Sequence, residues 1–294
     1  MNRNCSPELD QILDQEFKVL DHGFVRVVDY MGNDGSIVQA ARVSYGKGTK
    51  TVNEDRGLIR YLMRHRHTTP FEMCVIKLHM KMPIFVARQF VRHRTASLNE
   101  YSGRYSVMDS DFYIPEKLSV QSQANKQGRG ETIRQELEDA YLTSIDDHSY
   151  ASYNFYQELL NEDLDGNIID ENKVGIAREL ARMVLPVNFY TQWYWQCNLH
   201  NLLHFLSLRA DPHAQEEARA YANVMCDIVA KWVPMTWEAF LEYRKNAISF
   251  SATEKKLIQQ MISGQVVGYE GSGLSKREWE EFKSKIDFPH RIAE

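Results

Sequence analysis

From Cys74 to Lys81 the chain alternates: Cys74, Ile76, Leu78 and Met80 stand between Val75, Lys77, His79 and Lys81. Side chains two apart share one face of a strand, so this stretch predicts a half-buried strand. The chain is thereby committed to a sheet with one apolar face. Directly afterwards Pro83 opens a helix expected over 84–93. Ile84, Phe85, Ala87 and Phe90 or Val91 would face the core, while Arg88 and Arg92, four apart, share the other side.

The stretches around it are read the same way. Residues 16–30 are rich in β-branched and aromatic side chains and predict one or two strands broken at His22-Gly23. Asp34-Gly35-Ser36 looks like the cap of a short helix over 37–43, and 53–65 has helical spacing. Thr69-Pro70-Phe71-Glu72 predicts a brief helix with Thr69 as N-cap and Glu72 completing a capping box. Residues 105–113 read as extended and the Gln-rich 117–130 as a mobile loop. A long helical pattern over 131–162 is expected to break near Asp146-Asp147. A turn follows at Asp165-Gly166-Asn167. Helices are expected over 174–185, 199–208, 214–232 and 237–245, with an aromatic strand over 189–196. Residues 275–286 alternate charges as a solvated helix does. Strands concentrate early and helices late. The fold class is therefore α+β, a mixed or antiparallel sheet packed with long helices. One domain is expected over 1–294, with a core over about 15–245 and a helical C-terminal extension over 246–294.

Composition closes several routes. With 294 residues, 43% of them hydrophobic, one large core is feasible. A net charge of -5 gives no bulk attraction to nucleic acid, so an RNA-binding module is disfavoured and any anion site must be local. No apolar leader opens the chain, and no apolar run approaches the roughly 18 residues of a membrane span. A cytoplasmic protein without membrane partners is expected. Cys5, Cys74, Cys197 and Cys226 are scattered, without a C-x-x-C pair, so neither a zinc site nor a disulfide framework is expected. His200 and His204 lie four apart, but no H-E-x-x-H accompanies them, and no metal is assigned. No G-x-G-x-x-G follows a strand, so a Rossmann fold has no support.

The chemistry concentrates in residues 92–105. Arg92, His93, Arg94, Ser97, Asn99, Glu100, Ser102, Gly103 and Arg104 fall within it. Guanidinium forks can grip phosphate, Ser102 and the Ser102-Gly103 amides can complete an anion nest, and Asn99 and Glu100 can bond a base or sugar. The plain alternative is a basic helix end followed by a polar surface loop.

The pattern R-H-R-x-x-S-x-N-x-x-S-x-R, carried by Arg92, His93, Arg94, Ser97, Asn99, Ser102 and Arg104, resembles the flavin-dependent thymidylate synthases of the ThyX type. The resemblance extends from His65-Arg66-His67-Thr68-Thr69-Pro70-Phe71-Glu72 through Pro83–Gln89 to Leu206-Ser207-Leu208-Arg209-Ala210-Asp211. It implies synthesis of dTMP from dUMP, with methylenetetrahydrofolate as carbon donor and FAD reduced by NADPH as hydride source. It also implies a homotetramer whose sites draw residues from several subunits. By position, the FAD contacts implied are His67, Thr69, Arg92, His93, Arg94, Glu100, Asn198, Leu199, His200 and His204, the last standing where some members have Asn. The dUMP contacts implied are Arg88, Gln89, Arg92, Glu100, Ser102, Gly103, Arg104, Arg182 and Arg209.

Arg209 has two readings. Sequence physics alone makes it a cation serving the C-terminus of a helix. The resemblance makes it catalytic, stabilising an N3-deprotonated uracil. The cysteines point the same way by default. A thiolate nucleophile needs an activating neighbour, whereas Cys74, Cys197 and Cys226 read as small buried hydrophobes. Ser102 reads as a ligand contact, because no general base is evident to activate it. A non-catalytic nucleotide- or flavin-binding protein is the alternative function.

Overall fold

Five strands build the sheet that the alternation over 74–81 demands. The computed structural model describes residues 4–43, 52–123 and 128–286. Its strands are β1 (Glu16–Val19), β2 (Gly23–Met31), β3 (Val75–Pro83), β4 (Ser97–Glu100), β5 (Ser119–Gln121), β6 (Arg129–Thr132) and β7 (Tyr190–Asn198). The main sheet has the order β1-β2-β3-β7-β4, every neighbouring pair antiparallel. Ile76, Leu78, Met80 and Met82 of β3 stand opposite Cys197, Trp195, Trp193 and Thr191 of β7, and all eight are buried. The intervening His79 and Tyr194 stack at 4.8 Å on the other, more open face.

The helices of the first unit, Met1–Phe240, are α1 (Pro7–Asp10), α2 (Asp34–Arg42), α3 (Val52–Arg64), α4 (Thr69–Glu72), α5 (Ile84–Phe90), α6 (Gln135–Leu160), α7 (Arg178–Ala181), α8 (Leu199–Arg209), α9 (Glu216–Trp232) and α10 (Pro234–Phe240). Two strands run straight into helices: β3 ends at Pro83 and α5 begins at Ile84, while β7 ends at Asn198 and α8 begins at Leu199. Phe205 of α8 joins them in the core, 5.6 Å from Trp195 and 4.8 Å edge-on to Phe90. Asn198 accepts from the Asn201 N–H at 2.9 Å and caps α8, satisfying one of the donors that a helix start leaves open.

Several local expectations are corrected. Asn33, not Asp34, caps α2, exchanging bonds with Ser36. Asp34 is instead buried and accepts from the N–H groups of Met235 and Thr236 at 2.8 and 3.0 Å and from the Thr236 hydroxyl at 2.6 Å. It thereby caps α10 from across the fold. Thr68, not Thr69, precedes α4, and it makes no side-chain cap bond. The helix after Pro83 stops at Phe90, and the motif behind it forms an edge strand, β4, rather than a loop. The Gln-rich stretch carries β5 and β6, which pair antiparallel, although residues 124–127 lie outside the described residues. The helix α6 runs unbroken through Asp146 and Asp147, because its buried side is set by Ser149, Tyr153, Tyr156 and Leu160. Over 174–185 only α7 and a 3-10 turn, Arg182–Val184, are helical.

The second unit, Leu241–Glu294, opens with a π-helical turn, Leu241–Lys245, and holds α11 (Ala252–Ile262) and α12 (Lys276–Lys285). Both helices begin with capping boxes, Ser251 with Glu254 and Ser275 with Glu278. They pack around Leu257, Met261, Val267, Trp279 and Phe282. Among the described residues no helix is long and apolar enough to cross a membrane.

Candidate active site

The edge strand β4 delivers the motif into a cleft of about 650 Å³ lined by Glu100, Tyr101, Ser102, Gly103, Arg104, Arg182 and Thr191 among others. β4 is held by β7, and the turn behind it by the Tyr101 N–H, which donates to the Gln192 carbonyl at 2.7 Å. Glu100 accepts from the Thr191 hydroxyl at 2.7 Å, which fixes its carboxylate at the cleft wall. Met108 and Phe189, also in the lining, belong to an apolar cluster with Phe112, Tyr153 and Tyr156. A Cβ on Gly103 would stand 2.6 Å from the Met108 sulfur and 3.4 Å from Arg182 Cδ, so glycine lets this turn close on its neighbours. Arg104 lies 3.4 Å from Glu179, but both are more than half exposed and hold each other weakly. Arg182 has no acidic partner among the described residues.

A second group forms where the end of α8 meets α5. Arg209 donates through Nε to His93 Nε2 at 3.2 Å, and through its terminal nitrogens to Gln89 Oε1 at 3.4 Å and the Gln89 carbonyl at 3.2 Å. A guanidinium has five N–H groups, so two remain without an acceptor among the described residues. Burial, and then the nearby charge of Arg92, lower the pKa of Arg209. His204 lies 6.2 Å from His93, ring to ring. Burial first, then Arg209 and His204, push the His93 imidazole down to about 4. The ring is therefore neutral near pH 7, with the Nε2 lone pair toward Arg209 and its proton on Nδ1.

That shift has a pH consequence. In the unfolded chain the imidazole charges around its ordinary 6.5, in the fold only around 4. Its contribution to stability is complete above pH 6.5 and is lost as the pH falls through that window. Melting temperatures of the wild type and His93→Gln, followed from pH 7 to pH 4 at fixed protein concentration, should converge as the pH falls. Parallel curves would show that His93 is not held neutral.

The remaining expected residues fall elsewhere. Arg88, Arg92 and Arg94 are exposed and have no acidic partner among the described residues. Thr69 lines a separate groove with Ser36, Gln39, Pro70 and Met73. His67 stacks on Tyr61 at 5.8 Å. Asn198 spends its side chain on the α8 cap, and Leu199 is fully buried, with its N–H donating to the Cys74 carbonyl at 2.8 Å. His200 is half-buried at the start of α8, the helix against which α4 packs. Cys74, Cys197 and Cys226 are buried, and burial pushes the thiols of Cys74 and Cys197 up to about 12. Neither is available as a thiolate at neutral pH.

The arrangement is one of exposed arginines, a carboxylate and a partly unsatisfied guanidinium, with no activated nucleophile in contact among the described residues. The family model Thy1, thymidylate synthase complementing protein, matches residues 26–235. The chain belongs to this family. A flavin-dependent thymidylate synthase of Rickettsia bellii is 58% identical over 278 residues, 94% of this chain and 95% of that one. Another, of Wolbachia pipientis wMel, is 52% identical over 287 residues, 97% of each chain. Among solved structures, the UMP/dUMP methylase PolB of Streptomyces cacaoi, bound with 5-Br dUMP, is similar with a TM-score of 0.67. It is 33% identical, and the match covers 78% of this chain and 99% of that one.

Sequence reasoning missed Thr191, which orients Glu100, and Gln215 and Glu217, which stand behind Gln89. The alternation of the aromatic strand carries a signal for Thr191, since it shares a face with Trp193 and Trp195. Nothing local marks the other two.

Proposed function

We propose that the protein makes dTMP from dUMP by reductive methylation in the cytoplasm. Methylenetetrahydrofolate is the carbon donor, and FAD reduced by NADPH is the hydride source. The observation that carries this reading is Arg209: a partly buried guanidinium, braced by His93 and Gln89, with two N–H groups still to give. Aimed at a uracil edge, it favours the N3-deprotonated ring without exchanging a proton itself. In the cleft, Arg104, Arg182 and Ser102 take the nucleotide phosphate, with Gly103 admitting close approach, and Gln89 and Arg88 extend the contact surface. The chain offers position and charge instead of a covalent nucleophile, in keeping with the buried thiols.

The donor set suits a flavin dinucleotide. Arg92 and Arg94 are cations without carboxylate partners among the described residues, which fits a pyrophosphate. His67, Thr69, His93, Asn198, His200 and His204 are the further contacts, with Leu199 packed beneath them, and Glu100 stands between the two ligands. When bound, the flavin supplies the hydride. The same reading makes the protein a homotetramer with shared sites. Met183 and Leu180 support it: they flank Arg182 at 72% and 52% exposure, an apolar rim suited to a second subunit.

The purified protein should be yellow, and NADPH should bleach it anaerobically. Release of the C5 hydrogen of dUMP should depend on FAD. A colourless protein that leaves that hydrogen in place with all substrates present would end the proposal, and a flavin-bound protein that does so would be a binder only. Arg182→Ala should raise the dissociation constant of dUMP about 10- to 100-fold, since a charge-assisted bond is worth roughly 1.5–3 kcal/mol. Calorimetric titration with dUMP measures this, and unchanged affinity would move the phosphate site elsewhere.

A further inference from the structure

Behind Arg209 runs a line of side-chain contacts that the reaction itself does not explain. Gln89, whose Oε1 accepts from Arg209, donates through Nε2 to Gln215 Oε1. Gln215 donates through its own Nε2 to Glu217 Oε2 at 2.9 Å. Glu217 is 2% exposed, and its other oxygen accepts from Tyr113 Oη at 3.1 Å and from Arg129 of β6. The line thus joins Arg129 of the β5–β6 hairpin to Arg209 through three side chains, Glu217, Gln215 and Gln89.

Its polarity matters more than its length. An amide has a donor end and an acceptor end that differ little in shape, and only its partners decide which way it faces. An ionised carboxylate only accepts. Burial raises the pKa of Glu217, but its own backbone N–H, Gln215 and Arg129 outweigh that and leave it below the ordinary value. Glu217 therefore requires the NH2 of Gln215. That turns the Gln215 oxygen to Gln89, which requires the NH2 of Gln89 and turns the Gln89 oxygen to Arg209. Reversed, Gln89 would present N–H groups to a guanidinium that has only N–H groups.

We propose that Glu217 is a positioning residue for Arg209, acting through Gln215 and Gln89 by fixing which way both amides face. The proposal rests on the reading of Arg209 as the group that meets uracil. Arg129 and Tyr113 offer a competing role for Glu217, as an anchor for the hairpin, and the test separates the two.

The test uses the full-length holoenzyme as wild type, Glu217→Gln, Gln215→Leu, the double variant and Tyr113→Phe. Three quantities are followed: flavin reduction by NADPH, release of the C5 hydrogen of dUMP, and the pH at which bound 5-fluoro-dUMP loses its N3 proton, read by difference absorbance without folate. Glu217→Gln and Gln215→Leu should each slow C5 hydrogen release about 10- to 100-fold, as loss of a catalytic group's orientation does. Both should raise the N3 deprotonation pH by about one unit, a tenfold loss of the anion. Flavin reduction should stay within about twofold. The double variant should be no worse than Gln215→Leu, because both act along one line. Tyr113→Phe takes away a different ligand of the same carboxylate and should leave the N3 shift as in wild type.

Additive losses in the double variant would overturn the proposal. So would an unchanged N3 deprotonation pH, or parallel losses of flavin reduction and hydrogen release. If Glu217→Gln does not fold, Gln215→Leu decides alone. A wild type that binds 5-fluoro-dUMP without easing its deprotonation would instead refute the reading of Arg209.

Discussion

Arg209→Ala should lose turnover and keep its flavin. The side chain ends a helix whose apolar residues, Leu202, Leu203, Phe205 and Leu206, are buried independently of it, so its removal should not unseat α8. What disappears is a braced cation with two donors that the described residues leave unused. Loss of one donor aimed at developing charge costs about 10²–10³ in rate, and loss of a whole guanidinium should cost at least that. Arg209→Lys should recover little, because an ammonium cannot meet His93, Gln89 and a uracil edge together. Rates of C5 hydrogen release, with flavin content read from the visible spectrum of the same sample, measure the effect. Flavin lost in proportion to activity would make Arg209 a cofactor ligand and not a catalytic group.

The largest stability effect is expected at Asp34. Its carboxylate holds three donors at the start of α10, and Thr236, which provides two of them, is fully buried. Asp34→Ala leaves all three without an acceptor, removes a negative charge from a helix N-terminus and costs about 3–5 kcal/mol. Asp34→Asn keeps one acceptor oxygen and should cost less. Denaturation midpoints at one protein concentration compare them. A loss below about 1 kcal/mol for Asp34→Ala would mean that water replaces the carboxylate.

Elements with a buried face were legible in the sequence. The alternation of β3 and the aromatic run of β7 mark one side of each strand as core, and burial follows that marking. Elements held by partners alone were not. β4 is exposed at all four residues and exists because β7 offers a ladder, so its Ser and Asn composition reads as loop. The hairpin of β5 and β6 is polar for the same reason. The start of α11 passed unread although its capping box, Ser251 with Glu254, is written in the chain. At the site, the motif named the cleft because its residues are consecutive. The line from Gln89 to Glu217 joins residues over a hundred positions apart, and no local pattern encodes such a meeting.

The two strand-to-helix junctions limit how the gene for such a chain can change length. With no loop between Pro83 and Ile84, or between Asn198 and Leu199, one inserted residue turns the following helix by about 100°. Gln89 and Arg209 ride on those helices and would swing apart, with no slack to absorb the error. β5 and β6, by contrast, pair strand with strand, and neither opens a helix that carries a site residue. Insertions and deletions should therefore be purged at the two junctions and tolerated better between β5 and β6, so that indel tolerance along the chain maps the site's geometry without a single point substitution.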